Sequence, residues 1–172
     1  IVGMNYRLTE LQASIAIHQF SNLDKVNKKR KQNADILIKG LKKYKHLLIP
    51  QKIEKHTEYF PYILKFLWQG NHIIKKEILL KKLNQLRIPF TGGYGRMMHE
   101  NPIFSKQIAY KNGWPYSFKK NKSIKKNYGT GSLPISENLN EKFIWFKFIH
   151  PPNGKKQMNF IILAFKKILN NI

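Results

Sequence analysis

The chain has 172 residues, about one domain's length, and carries 32 basic against nine acidic residues, for a formal net charge of +23. A hydrophobic content of 42% with 13% aromatics excludes a disordered polybasic tail, and the absence of Cys excludes disulfides, thiolate metal sites and a cysteine nucleophile. The longest apolar run, at 160–165, is too short to span a bilayer, so we expect no membrane partner.

The N-terminal region predicts two consecutive helices. Thr9-Glu-Leu-Gln12 fits a capping box, and apolar residues follow at helical spacing as far as Phe20. A second start signal at 21–24 precedes a helical pattern that continues to about Tyr44. We therefore predict two helices that meet at a bend near 21–24.

The rest of the chain alternates between strand and helix patterns. Aromatic and β-branched residues predict a strand at Tyr59–Phe66, where Pro61 favours an edge or a bulge. A helix is predicted over 73–86 and an extended segment over Arg87–Thr91. The region up to about residue 132 is predicted to be mainly loop. The remaining predictions are helical turns at 101–110 and 136–141, a strand at 143–146 and a helix over 155–169. This order predicts a small α/β sandwich behind a helical arm.

The positive charge raises the hypothesis of a lysine-rich nucleic-acid-binding module. Lysines account for 28 of the 32 basic residues and are spread along the whole chain, whereas a nucleic-acid surface concentrates its cations. Arginine, which reads bases through bidentate hydrogen bonds, occurs only four times. Abundant Lys, Asn and Ile beside scarce Arg is typical of A/T-rich coding bias. We therefore expect no nucleic-acid partner, with the module kept as the alternative.

Residue types alone indicate no catalytic set. None of the six His forms a pair at metal-ligand spacing, and the acidic residues are too sparse for a visible carboxylate pair, so no metal site is expected. Gly129-Thr-Gly131 has no P-loop lysine at the required spacing and predicts a turn.

Residues 3–14, Gly-Met-Asn-Tyr-Arg-Leu-Thr-Glu-Leu-Gln-Ala-Ser, closely resemble a specific segment of the DegT/StrS sugar aminotransferases, Gly-x-Asn-x-Arg-(Met)-(Thr/Ser)-(Asp/Glu)-(hydrophobic)-Gln-Ala-Ala. Ser14 replaces the second Ala of that segment. The surroundings of Tyr94 and Asn101 resemble most the branch that acts on keto-cyclitols. Weaker similarity covers 19–24, 30–34, 92–96, 101–104, 134–137 and the last helix.

The resemblance implies a fold and a domain organisation. The family consists of dimeric pyridoxal-phosphate enzymes of the aspartate-aminotransferase fold (type I), in which a large cofactor domain precedes a small C-terminal α/β domain. Residues 1–46 would then be the motif loop and a helical arm linking from the large domain, and 47–172 the small domain. The opening on Ile1 instead of Met also leads us to expect a processed protein or a piece of a longer one.

The resemblance also implies where the chemistry lies. The family's Schiff-base lysine precedes the motif, and no lysine of this chain has the Gly-Glu-Gly-Gly setting that follows it. No catalytic residue is therefore expected here, and the chain alone is expected to be inactive. Asn5 is implied to cross the dimer interface and donate its amide to the cofactor phosphate of the other subunit. Arg7 is implied to bind that phosphate or a substrate oxygen, or to tie the loop to a carboxylate.

Tyr94, Arg96 and His99 follow a Gly-Gly turn and are the candidate substrate-binding residues. Polar aromatic and cationic side chains suit a polyhydroxylated ring, although an ordinary surface loop would have the same composition. The resemblance implies a cytoplasmic homodimer that moves an amino group from Glu or Gln to a keto-sugar or keto-cyclitol. A non-catalytic remnant whose arm supports only dimerisation is a further alternative.

Overall fold

The computed structural model of the protein describes residues 7–108, 110–114, 116–118 and 128–170. The helices and strands, in chain order, are α1 (Glu10–Ser21), α2 (Leu23–Gly40), β1 (Leu48–Pro50), β2 (Leu64–Trp68), α3 (Lys76–Gln85), β3 (Thr91–Gly92), α4 (Pro102–Ser105), α5 (Pro134–Lys142), β4 (Phe143–Phe146) and α6 (Lys155–Asn170).

The start of α1 is fixed by the capping box that the sequence predicts. The backbone N–H of Gln12 donates to Thr9 Oγ1 at 3.3 Å, and the Thr9 N–H donates to Gln12 Oε1 at 3.1 Å. These two bonds satisfy N–H groups that a helix start otherwise leaves unpaired. A single residue, Asn22, separates α1 from α2. The prediction of two helices meeting at a bend is confirmed.

The four strands form an antiparallel sheet in the order β1-β2-β4-β3. Along β2, Leu64, Phe66 and Trp68 are buried and alternate with half-buried residues, because successive side chains of a strand point to opposite faces. The predicted strand at 143–146 is confirmed as β4. The strand predicted at 59–66 instead begins at Leu64, after Pro61, which has no N–H for a ladder. Strand β1 was not predicted.

One hydrophobic core joins the sheet to three helices. The helices α2, α3 and α6 bury side chains in the same cluster as the inward faces of β2 and β4. The ring of Phe90 stacks on Phe146 with centroids 4.9 Å apart and meets Phe165 edge-on at 5.2 Å, which links the end of the sheet to α6. Helix α6 contributes Met158, Ile161, Ile162, Ala164, Phe165 and Ile168 to this core.

Helix α2 is tied to the chain before α6 by a buried amide. Asn33 is fully buried, and its Nδ2 donates to the backbone oxygens of Ile149 at 2.8 Å and Asn153 at 2.9 Å. The second half of the predicted 1–46 arm therefore packs in the core together with 47–172. Helix α1 buries no residue in the described chain.

The end of α3 departs from the extended conformation predicted for Arg87. The N–H of Arg87 donates to Asn84 O at 2.9 Å, and the N–H of Ile88 donates to Leu83 O at 3.0 Å. This is the Schellman pattern, and it puts Arg87 in the left-handed region at φ 58°. The prediction missed it because the usual marker, Gly, is absent from that position.

The segment predicted as a turn at 136–141 is a nine-residue helix, α5. Pro134 lies in its first turn, where a fixed φ and a missing N–H cost nothing. In the described part of the chain, no helix combines the length and apolarity that crossing a membrane requires.

Candidate functional site

The loop of residues 93–98 follows β3 and carries two of the three predicted substrate-binding residues. Gly93 and Gly95 have φ values of 64° and 75°, which a glycine adopts without steric cost. Between and after them, Tyr94 is 76% exposed and Arg96 is also exposed. The loop therefore presents a phenol and a guanidinium to the outside.

The first end of the 93–98 loop is anchored to β4 and α5. The indole Nε1 of Trp145 donates to Gly93 O at 2.8 Å, and the N–H of Tyr94 donates to Asn140 Oδ1 at 2.9 Å. The N–H of Gly93 also donates to Phe143 O at 2.9 Å. Three hydrogen bonds thus hold the backbone at the point where Tyr94 leaves the sheet.

The far end of the loop is anchored by the third predicted residue, His99. This histidine is only 6% exposed, and its Nε2 lies 2.9 Å from Oε1 of Glu137 on α5. A buried imidazole facing a carboxylate is well placed to hold two segments together, whereas its contact with an external ligand is limited by the burial. The structure therefore places His99 beneath the loop and not beside Tyr94 and Arg96 on its surface.

Glu137 is the centre of this anchor. The N–H of Gly131 lies 2.9 and 2.8 Å from its two carboxylate oxygens, and the N–H of Leu133 donates to Oε1 at 3.1 Å. The hydrogen bonds from Gly131 and Leu133, and then the contact with His99, lower the pKa of the Glu137 carboxyl below its usual range. The carboxylate is therefore held in its charged form.

A second carboxylate reinforces the same junction. Glu100 accepts a hydrogen bond from the N–H of Met97 at 3.2 Å and another from Thr130 Oγ1 at 3.2 Å. Glu100 and Glu137 thus connect the end of the 93–98 loop to residues 130–133. Two of only nine acidic residues in the chain serve this one junction.

Sequence reasoning missed Glu100, Glu137 and Asn140 as residues of the site. In the sequence, segment 134–137 is only similar to a family loop, and that similarity assigns no role to its glutamate. Two carboxylates near a predicted loop, in a chain so poor in acidic residues, were the available signal. Each of the three residues also has a partner 30 to 46 residues away along the chain (Thr130, His99 and Tyr94, respectively), a separation that no local pattern reveals.

The predicted cofactor-binding residues are only partly covered by the structure. Asn5 lies outside the described residues. Arg7 is exposed in the segment before Thr9, and within the described chain it forms no ion pair. A phosphate site needs several convergent donors. The described residues therefore do not fit a complete cofactor site by themselves, and both roles stay predictions.

A groove of about 480 Å³ lies elsewhere, at the start of α6. None of the predicted site residues lines it. Its walls include Arg87, Phe146, Phe148, Lys156 and Phe160. No group of three His, Asp or Glu side chains in the described residues is placed to hold a metal ion.

The sequence profile of the DegT/DnrJ/EryC1/StrS aminotransferase family matches residues 1–145, which is most of the chain. The chain belongs to this family. The match includes both the motif at 3–14 and the 93–98 loop with its anchors.

The chain is also similar to individual proteins and solved structures. The protein MJ1066 of Methanocaldococcus jannaschii is 27% identical over 112 residues, which cover 64% of this chain and 28% of that protein. The aminotransferase from Psychrobacter cryohalolentis superposes with a TM-score of 0.70 at 19% identity, over 99% of this chain and 41% of that one. The sugar aminotransferase Spr1654 from Streptococcus pneumoniae, in its PMP form, gives 0.67 at 16% identity, over 96% and 36%.

These matches confirm the predicted fold, a portion of a type I pyridoxal-phosphate aminotransferase. Family membership, with the Streptococcus pneumoniae protein solved in PLP and PMP forms, indicates pyridoxal phosphate as the cofactor. The chain spans 28% to 41% of the length of these relatives.

Proposed function

We propose that the chain is the C-terminal part of a pyridoxal-phosphate-dependent aminotransferase. The complete enzyme would transfer an amino group from Glu or Gln to the carbonyl carbon of a keto-sugar or keto-cyclitol. The observation that carries this proposal is the family match over residues 1–145, because it covers the motif, the core helices α2 and α3, and the 93–98 loop together. The chain's share of its relatives' length supports a larger whole.

Helix α1 supports the proposal that this chain needs further protein around it. Leu11 and Ile15 are 73% and 57% exposed on one side of the helix, and Ile17 and Phe20 are 72% and 77% exposed on another. A helix that is apolar on several sides is normally buried in a larger assembly. We propose that α1 packs against the preceding part of the enzyme and a second copy of it, which together form a homodimer.

Asn5 and Arg7 precede α1 and are proposed to reach the cofactor phosphate from that position. An amide supplies directional N–H donors to a dianion without bringing a further charge to desolvate. Arg7 would bind the same phosphate or a substrate oxygen, or hold the loop through a carboxylate. Bound pyridoxal phosphate would carry the amino group between donor and acceptor. The described residues do not form its site.

Tyr94 and Arg96 are proposed to bind the substrate. A phenol can donate to and accept from ring hydroxyls and can also stack on the apolar face of a sugar, while a guanidinium offers five N–H donors. Their exposure leaves both side chains accessible to a ligand.

Nucleic acid is not part of the proposal. Basic residues are densest on α2, at 25–31, but lysines also occur on α3 and α6 and in the intervening loops, so the positive charge is not confined to one described element. We propose a cytoplasmic enzyme, in which the charge reflects composition.

The test compares the 172-residue chain with a protein extended on its N-terminal side. With Glu or Gln as the amino donor, the extended protein should convert pyridoxal phosphate to pyridoxamine phosphate, and the change in absorbance measures this conversion. The 172-residue chain should give no conversion. Asn5→Ala in the extended protein should weaken cofactor binding by about tenfold to a hundredfold, the loss expected for a hydrogen bond to a charged group.

Asn22→Ala is the matched control, because that amide donates to His18 O at the bend between α1 and α2. An extended protein without amino transfer from either donor would contradict the proposed function. Unchanged cofactor affinity in Asn5→Ala would contradict only the role of that residue.

A further inference from the structure

The 93–98 loop has open space around its tip, whereas hydrogen bonds hold the backbone at both of its ends. Gly93 and Gly95 supply left-handed backbone conformations, and a side chain built on Gly95 would meet nothing within 4 Å. Such a segment has many accessible conformations unless other residues restrict it. Whether Tyr94 and Arg96 are held in one arrangement therefore depends on the anchors on either side.

The two anchors differ in chemistry. The first, at Gly93 and Tyr94, uses a neutral indole and a neutral amide as partners. The second uses the buried His99 against the Glu137 carboxylate. Of the three contacts between a basic and an acidic side chain among the described residues, this is the one in which both side chains are largely shielded from water, at 6% and 18% exposure. Hydrogen bonds to charged groups are individually stronger than neutral ones, so the His99–Glu137 contact is expected to be stronger than either neutral side-chain bond of the first anchor.

Glu137 is itself held in place, and so it can act as a fixed point. Gly131 and Leu133 donate backbone N–H groups to its carboxylate, and it lies in the first turn of α5. The same helix carries Asn140, whose side chain accepts from the N–H of Tyr94. Helix α5 therefore supports both ends of the 93–98 loop. A substitution of Glu137 should alter the positions of Tyr94 and Arg96 although Glu137 itself is not proposed to contact a ligand.

We propose that His99 and Glu137 are positioning residues: the pair between them clamps the end of the 93–98 loop to α5 and so presets Tyr94 and Arg96 for the substrate. The inference rests on the proposed function, and it gives His99 a supporting role beneath the loop. Rigid presentation of a binding loop strengthens binding by removing the ordering cost at the moment of association.

The first test measures the loop directly on the 172-residue chain. An arginine-specific protease has only four sites, and one of them, Arg96, lies in the loop. Protease cleavage after Arg96 requires local opening of the loop, and in Glu137→Ala this opening no longer breaks a charged hydrogen bond. The substitution should therefore accelerate cleavage after Arg96 by about tenfold. Cleavage after Arg87, exposed at the end of α3, should keep its rate and serves as the internal reference. Fragment masses identify each site.

Two variants sharpen this measurement. Glu77→Ala removes a 74%-exposed carboxylate from α3 and should leave both cleavage rates unchanged. Glu137→Gln keeps an oxygen acceptor and should give an intermediate rate at Arg96. Equal acceleration at Arg87 and Arg96 in Glu137→Ala would mean a general loss of stability and would overturn the proposal. An unchanged rate at Arg96 would overturn it too.

The second test uses the extended enzyme. Glu137→Gln and His99→Gln should raise the KM for the keto substrate several-fold while the half-reaction with the amino donor keeps its rate. A parallel loss in both half-reactions would indicate a purely structural role and would overturn the inference. Absence of any amino transfer in the unmodified extended enzyme would instead contradict the proposed function, and the cleavage test would still decide whether the clamp exists.

Discussion

Helices α1 and α6 have similar shares of apolar residues, yet they meet opposite environments. Helix α6 buries six residues in the core, whereas α1 buries none among the described residues. In α6 the six buried apolar residues share one face, although Phe160 and Leu163 are exposed, while in α1 the apolar residues lie on several sides and none is buried. The comparison shows that the sheet of this chain covers the apolar face of α6. The apolar residues of α1 have no such cover among the described residues.

The largest expected effect lies on the α6 side of this comparison. Phe165 is fully buried against Phe90, so Phe165→Ala should lower the free energy of unfolding by about 3–5 kcal/mol through lost burial and the cavity left behind. Urea denaturation of the chain would measure it. Phe160→Ala, on the exposed side of the same helix, is the control and should cost far less. Equal effects would mean that α6 is not packed as described.

The second-largest effect is expected at Asn33, and it tests whether α2 and α6 unfold together in one cooperative transition. Asn33→Ala removes both donors to Ile149 O and Asn153 O, which would leave two carbonyl groups without partners. We expect a loss of about 2 kcal/mol, the usual cost of unsatisfied buried polar groups. A second transition in the denaturation curve, instead of one shifted transition, would show that α2 unfolds separately from α6.

The third prediction concerns pH and the clamp at Glu137. Because the pKa of its carboxyl is lowered in the folded state, the stabilisation it provides is complete above the usual carboxyl pKa and is lost as the pH falls through the lowered value. The difference in melting temperature between the chain and its Glu137→Gln variant should therefore be greatest near neutrality and shrink on acidification. A difference that is constant across this range would contradict the charged clamp.

A smaller effect is expected at the cap of α1. Thr9→Ala should remove about 1 kcal/mol from the local stability of that helix. Since α1 buries no side chain against the other described residues, the loss should appear in hydrogen exchange of the α1 amides and leave the main urea transition unchanged. A shift of the main transition would mean that α1 is part of the same cooperative unit as α6.

The smallest effect on stability is expected at the exposed face of α1. Phe20→Ala should change the free energy of unfolding by no more than about 0.5 kcal/mol, in contrast to the same substitution at Phe165. Its consequence should appear in association instead. Light scattering should report weaker dimerisation of the extended enzyme, and unchanged dimerisation would exclude Phe20 from the interface.

Local signals predicted much of this molecule. The capping box at Thr9 and the buried apolar face of α6 are formed by residues that lie within a few positions of one another in the sequence. Both were predicted in the right place. The roles of Asn33 and Glu137 could not be predicted in the same way, because their partners lie up to 120 and 38 residues away. The left-handed Arg87 was missed because Gly, the residue that usually marks it, is replaced there.

The site was predicted to a lesser extent than the fold. Tyr94 and Arg96 were correctly expected on an exposed loop, since a Gly-Gly turn followed by polar residues favours one. The burial of His99 was not expected, because burial depends on what α5 brings to it. Asn5 lies outside the described residues and Arg7 has no ion pair among them, so the roles of both at the cofactor stay predictions.

The edges of the sheet have a consequence for how the isolated chain would behave at high concentration. Strand β1 has three residues and ends at Pro50, and β3 has two residues before the turn at Gly93. Edges this short offer few free backbone groups to a foreign strand, so they resist the edge-to-edge pairing that leads to amyloid. Any clustering of the chain should therefore proceed through its uncovered helix, and a mild detergent should reverse it.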